Sequence, residues 1–120
     1  MLIAIAHGSR NPQWRASVER VIAAVTDPAD ASGLRLAYMD LTPPTLMDVA
    51  ADAVEAGEKT LLILPLFLAE EGHVERDVRP LVDEVSRTWP SVRVELMEPV
   101  GQQPEFVEVL RRIAERMRTP

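Results

Sequence analysis

The chain carries two histidines, His7 and His73, each beside a glycine and shortly after an apolar run. Imidazole titrates near neutrality and is the commonest nitrogen ligand for divalent metals, so these positions concentrate the proton and metal chemistry open to the chain. The first lies in His7-Gly8-Ser9-Arg10-Asn11-Pro12. Gly8 permits close backbone approach, and Ser9, Arg10 and the free N–H groups of a following helix are candidates for holding an anion such as a carboxylate. The same tripeptide also reads as a capped loop with a structural histidine. It has neither the glycine pattern of a dinucleotide or P-loop site nor the Gly-x-Ser-x-Gly setting of a hydrolase nucleophile.

The second histidine lies in Pro65-Leu66-Phe67-Leu68-Ala69-Glu70-Glu71-Gly72-His73-Val74-Glu75-Arg76-Asp77. A helix beginning near Gly72 would place His73 and Asp77 on one face. Asp77 could then accept a hydrogen bond from one imidazole nitrogen and leave the other for a metal. Glu70, Glu71 and Glu75 read as acidic residues favoured by the helix dipole. A third candidate is Asp40, in Tyr38-Met39-Asp40-Leu41-Thr42-Pro43-Pro44. It is placed to act as an oxygen ligand or a carboxylate base, or to serve as a turn residue. Tyr38, Met39, Phe67 and Leu68 are available as an apolar wall for a flat ligand, or as core.

The elements that must position these groups repeat four times, a short strand followed by a longer helix. Strands are predicted over Leu2 to Ala6, Leu34 to Met39, Thr60 to Leu66 and Val92 to Met97. Helical spacing groups Val18, Val21, Ile22 and Val25 in the first helix. It groups Leu46, Val49, Ala50, Ala53 and Val54 in the second, and Phe106, Val109, Leu110, Ile113 and Met117 in the fourth. Pro12, Pro43 and Pro104 are predicted at first helical positions, and Gly57 where the second helix ends. Trp89-Pro90 reads as the close of the third helix. Short connections between alternating elements imply right-handed crossovers and a doubly wound, four-stranded parallel α/β sheet with helices on both faces. The run Leu61-Leu62-Ile63-Leu64 suits a central strand covered on both sides. Flavodoxin-like order 2-1-3-4 would put the reversal of strand order between strands 1 and 3, where ligands bind in such sheets. His7 and His73 would then converge on one crevice.

Bulk properties narrow the function. The 120 residues read as one domain, residues 1–120, with 47% hydrophobic and 27% charged residues, as in an ordinary globular protein. With no cysteine, any metal must be held by nitrogen and oxygen. A net charge of −6 argues against nucleic-acid or anionic-membrane partners. The first strand is too short for a signal peptide or membrane span, so the cytoplasm is the expected location.

Three stretches together resemble the short-form sirohydrochlorin chelatases of the CbiX/SirB type. They are the opening strand with His7-Gly8-Ser9-Arg10, the segment from Tyr38 to Leu46 with Pro44, and Pro65-Leu66-Phe67-Leu68 leading to Gly72-His73-Val74 and Asp77. The resemblance implies a chelatase-like fold and ATP-independent insertion of a divalent metal, Co2+ or Fe2+ and by extension Ni2+, into sirohydrochlorin. The pathways it would serve are cobalamin or sirohaem biosynthesis, with no cofactor beyond the substrate metal. It assigns metal binding and proton removal to His7 and His73. Asp40 falls where the family commonly has glutamate, which makes it a candidate third metal ligand. Eight macrocycle carboxylates would suit rim arginines, for which Arg10, Arg76 and Arg79 are candidates, with Ser9, Phe67, Leu68 and Gly72 as further substrate contacts and Asp77 behind the metal ligands. The family usually has a proline two positions after Asp77, whereas here Val78-Arg79 precede Pro80, which implies a local change where the third helix starts. Larger members face two such domains across a cleft, so one copy implies a homodimer. A non-catalytic metal or tetrapyrrole carrier of the same fold is the alternative, and a flavodoxin-like interaction domain with structural histidines is a third reading.

Overall fold

Four parallel strands form the centre of the computed structural model, which describes residues 1–26, 33–69, 72 and 74–118. The strands are β1 (Leu2–Ala6), β2 (Leu34–Tyr38), β3 (Thr60–Pro65) and β4 (Arg93–Leu96), in the order β2-β1-β3-β4. β1 pairs with β2 from Leu2↔Leu34 to Ala6↔Tyr38, and with β3 from Leu2↔Leu62 to Ile5↔Pro65. The doubly wound class and the strand order therefore match expectation, with reversal between β1 and β3. The helices are α1 (Pro12–Val25), α2 (Leu46–Glu55), α3 (Arg79–Thr88) and α4 (Pro104–Arg118). Among the described residues no helix is long and apolar enough to cross a membrane.

Local chemistry explains most boundaries. Pro12 opens α1 behind Asn11, whose side-chain oxygen accepts from the Gln13 N–H at 2.9 Å. Gly57, at φ 90°, ends α2, and Pro104 opens α4. The helix start expected at Pro43 is not found. α2 begins at Leu46 behind a capping box in which the Asp48 N–H donates to Thr45 Oγ1 at 3.1 Å and the Thr45 N–H to Asp48 Oδ2 at 2.9 Å. Pro43 itself precedes a proline, which disfavours helical backbone there. The Pro44 carbonyl accepts from the Tyr38 N–H at 2.8 Å, tying the segment to the end of β2.

The third helix also starts differently from the expected α-helix near Gly72. Gly72 has φ 83° and lies outside it, and Val74–Val78 form one π-helical turn leading into α3. A proline ring crowds the carbonyl four residues before it, so Pro80 does not let regular α-helix run back through Arg76. The wider π turn relieves that crowding, and it turns Val74 and Val78 into the core.

Coverage of the sheet is uneven. Ile3, Ile5, Leu61 and Ile63 bury one face against Val49, Ala50 and Ala53 of α2 and Val82 and Val85 of α3. The other face carries Leu62 and Leu64, which are only half-buried, so β3 is not covered equally on both sides as its apolar run suggested. α1 and α4 bury no residue fully. Tyr38, at the end of β2, is buried, and its hydroxyl donates to Glu19 Oε1 of α1 at 2.9 Å. Burial first, then the hydrogen bond to Glu19 and its charge, push the phenol up to about 12.

Candidate functional site

β1 and β3 lie side by side, and the Leu66 N–H donates to the Ile5 carbonyl at 2.8 Å, so the chain leaves both strands at one point. That juxtaposition brings the His7 ring against the Phe67 ring, with centroids 4.9 Å apart and planes tilted 40°. His7 is otherwise exposed at the carboxyl edge of the sheet. The turn that presents it depends on Gly8. Its N–H donates to Asp40 Oδ1 at 2.9 Å, and a Cβ built there would stand 1.6 Å from the Asp40 carbonyl oxygen. Only glycine fits so close to a neighbouring backbone.

Asp40 is held from its own side as well. The Met39 N–H donates to the Ala6 carbonyl at 2.7 Å, and the Thr42 N–H closes a three-residue turn onto the Asp40 carbonyl at 2.7 Å. Leu41, at the middle of that turn, has φ 66°, a region costly for a branched side chain. Of the two roles open to Asp40, ligand or turn residue, the second is visible: its carboxylate takes part in the turn through one oxygen.

His7, Met39, Asp40, Arg76, Asp77, Pro80 and Leu81 line a single crevice of about 380 Å³. It joins the turn after β1, the end of β2, the π turn and the start of α3. Arg76 Nε lies 3.5 Å from Asp77 Oδ1 at its mouth. The crevice thus offers an imidazole, two carboxylates and a guanidinium around apolar Met39, Pro80 and Leu81. Among the described residues no group of three or more histidine, aspartate or glutamate side chains is gathered closely enough to hold a metal ion. His73, with Glu70 and Glu71, lies outside the described residues, and so does its proposed pairing with Asp77.

Other candidates fall elsewhere. Ser9 Oγ accepts from the Asn11 N–H at 3.0 Å, and its carbonyl accepts from Arg15 Nη1 at 2.7 Å, so Ser9 shapes the start of α1. Arg10 is exposed and does not line the crevice. Arg79 donates to both Glu75 carboxylate oxygens at 3.3 Å and borders a separate small groove near Pro99. Leu68 is exposed, and Tyr38 faces α1 instead of forming part of the wall. A groove of about 320 Å³ between α1 and β2 contains no histidine. Sequence reasoning missed Pro80 and Leu81 as lining. It also missed Gly101, whose N–H donates to the Phe67 carbonyl at 3.0 Å and whose Cβ would stand 1.7 Å from the Leu68 carbonyl oxygen. The signal was a glycine just past the end of strand 4.

A doubly wound sheet with a histidine at its reversal point and carboxylates facing it defines an α/β protein of the chelatase-like class. The chain belongs to the CbiX family, whose sequence profile matches residues 1–117. It is 31% identical over 77 residues to the sirohydrochlorin cobaltochelatase of Methanopyrus kandleri, covering 64% of this chain and 54% of that protein. It is 26% identical over 116 residues to the sirohydrochlorin cobaltochelatase of Sulfolobus acidocaldarius, covering 96% and 89%. The crystal structure of a putative cobalamin biosynthesis CbiX protein from Marinobacter aquaeolei VT8 superposes with a TM-score of 0.83 at 26% identity, over 98% of this chain and 93% of that one. The match spans about half the length of the Methanopyrus protein but nearly all of the Sulfolobus protein.

Proposed function

We propose that the protein inserts Co2+ or Fe2+ into sirohydrochlorin, in the cytoplasm, with no ATP, redox step or cofactor besides the substrate metal. The observation that carries this reading is the crevice at the β1/β3 reversal, where His7, tilted against Phe67, shares the lining with Asp40 and Asp77 in a chain of the CbiX family. Each insertion forms four metal–nitrogen bonds and releases the two protons of the macrocycle's N–H groups. Imidazole suits both demands: it is a good ligand for Co2+, Fe2+ and Ni2+, and a base that works near neutral pH. His7 and His73 take these roles, with Asp40 adding an oxygen donor through the carboxylate oxygen that does not hold Gly8. Met39, Phe67 and Leu81 offer apolar surface to the ring, and Arg76 offers a donor fork for a peripheral carboxylate. One copy supplies one wall, and a homodimer supplies the second.

The deciding experiment mixes purified protein with excess sirohydrochlorin and, in separate runs, Co2+, Fe2+ and Ni2+, and follows the macrocycle absorbance. Many turnovers per protein above the uncatalysed rate are expected with Co2+ or Fe2+. A single stoichiometric change without turnover would instead make the protein a carrier, and no effect with any metal would overturn both readings.

A further inference from the structure

Two glycines seat neighbouring turns on each other at the carboxyl edge of the sheet. Gly8, after β1, lies on the Asp40 backbone after β2. Gly101 does the same on the other flank of β1, where the 3₁₀ turn Val100–Gln102 after β4 meets the loop after β3. A Cβ on Gly101 would stand 1.7 Å from the Leu68 carbonyl oxygen, 2.4 Å from the carbonyl carbon and 2.5 Å from the Leu68 Cα. All three are main-chain atoms, so no side-chain rotation makes room. The Gly101 N–H donates to the Phe67 carbonyl at 3.0 Å. One residue thus fixes two consecutive peptide groups of the loop, the first through its N–H and the second through its missing side chain.

The turn that carries Gly101 is itself held. Pro99 is fully buried, and its ring restricts the backbone entering the turn. The Gln102 N–H donates to the Pro99 carbonyl at 2.8 Å, and Gln103 Nε2 to the Glu98 carbonyl at 2.9 Å. One residue past β4, the Met97 N–H donates to the Ile63 carbonyl of β3 at 2.8 Å. The loop that meets this turn is anchored at its other end by the Leu66 N–H on Ile5. Phe67 stands between the two anchors, and its ring lies 4.9 Å from the His7 ring. His7 is exposed, so a neighbouring ring placed by backbone contacts gives its imidazole a preferred position. A ligand or base needs one, because a misplacement of about 1 Å can cost on the order of a hundredfold in rate.

We propose that Gly101 is a positioning residue for His7, acting through the Phe67–Leu68 backbone without touching metal or macrocycle. Its effect on rate rests on the metal-insertion reading, whereas its effect on the imidazole does not. The chain has two histidines, so proton NMR shows two sets of imidazole signals, and His7→Ala identifies those of His7. The ring current of Phe67 displaces them, and Phe67→Leu gives their position without it. In Gly101→Ala the His7 signals are expected to move toward that position while circular dichroism reports a folded chain. The kcat for Co2+ insertion should fall roughly tenfold, with KM for sirohydrochlorin within about twofold of the parent value. A folded Gly101→Ala chain with unmoved His7 signals would overturn the proposal whatever its rate, and so would moved signals with an unchanged kcat. Should Gly101→Ala fail to fold, the pair Pro99→Ala with Gln103→Ala, which loosens the turn without adding an atom near Leu68, decides by the same two readouts. No turnover by the unmodified chain would overturn metal insertion itself, and the His7 signals would then decide alone whether Gly101 sets the imidazole.

Discussion

Substitutions at single residues separate chemistry from scaffolding here because the groups concerned differ in burial. His7 is exposed, with its ring against that of Phe67. His7→Ala is therefore expected to abolish most metal insertion while leaving the melting temperature nearly unchanged, and His73→Ala to abolish most insertion as well. Turnover near the parent rate in either variant would remove that histidine from the mechanism. Asp40 calls for two substitutions. Asp40→Asn keeps an oxygen to accept from the Gly8 N–H while removing the charge, so the turn should survive and the insertion rate should fall. Asp40→Ala also leaves that N–H without its partner, and it should lower stability by roughly 1 kcal/mol besides slowing the reaction. Unchanged rates in the asparagine variant would reduce Asp40 to a turn residue. Gly8→Ala is expected to be the harsher change, since its Cβ meets backbone that cannot swing aside. His7 and Asp40 were legible as residue types just past strand ends, and His73 as the second imidazole after the third apolar run. The Gly8–Asp40 bond was not, because it joins turns far apart in sequence that only strand pairing makes neighbours.

At the level of elements, the most informative departures from helical periodicity surround the prolines. Periodicity marks which residues share a face, but it does not distinguish α from π spacing over a single turn, so the wider turn before Pro80 was beyond its reach. Nor does a proline after threonine distinguish a helix start from a tied loop, and at Pro43 the second proline settled the matter in favour of the loop. The capping box that starts α2 should be worth about 1 kcal/mol, so Thr45→Ala is expected to lower unfolding free energy by that amount in urea titration. β2 and α1 are joined by the Tyr38–Glu19 hydrogen bond, which has a pH signature. With the folded phenol pushed up to about 12 and the unfolded one near 10, the folded chain keeps a proton that the unfolded chain loses in that window. Stability should then be undiminished by this group below pH ~10 and should fall as pH rises toward ~12. Tyr38→Phe should flatten that alkaline limb in melts taken across the range, and an unchanged limb would show that Tyr38 is not its source.

For the whole molecule, the homodimer proposed above would make stability a matter of concentration. If folding is coupled to association, the melting temperature should rise with protein concentration between about 1 and 100 µM, as mass action requires. A concentration-independent melt would argue for a self-sufficient monomer. The sequence by itself determined the fold class, the strand order's consistency with a reversal between strands 1 and 3, and the chemistry available, because apolar periodicity and strand-end residue types are local properties. Only the tertiary structure decided that His7 meets Phe67, that Asp40 braces Gly8, and that Arg10 and Arg79 stand outside the crevice, because those facts depend on which strand ends are neighbours. It alone also decided that the stripe on α4 is not core. Helical spacing says that such a face seeks cover, whereas the direction in which the turn Val100–Gln102 sends the helix determines whether that cover comes from its own sheet.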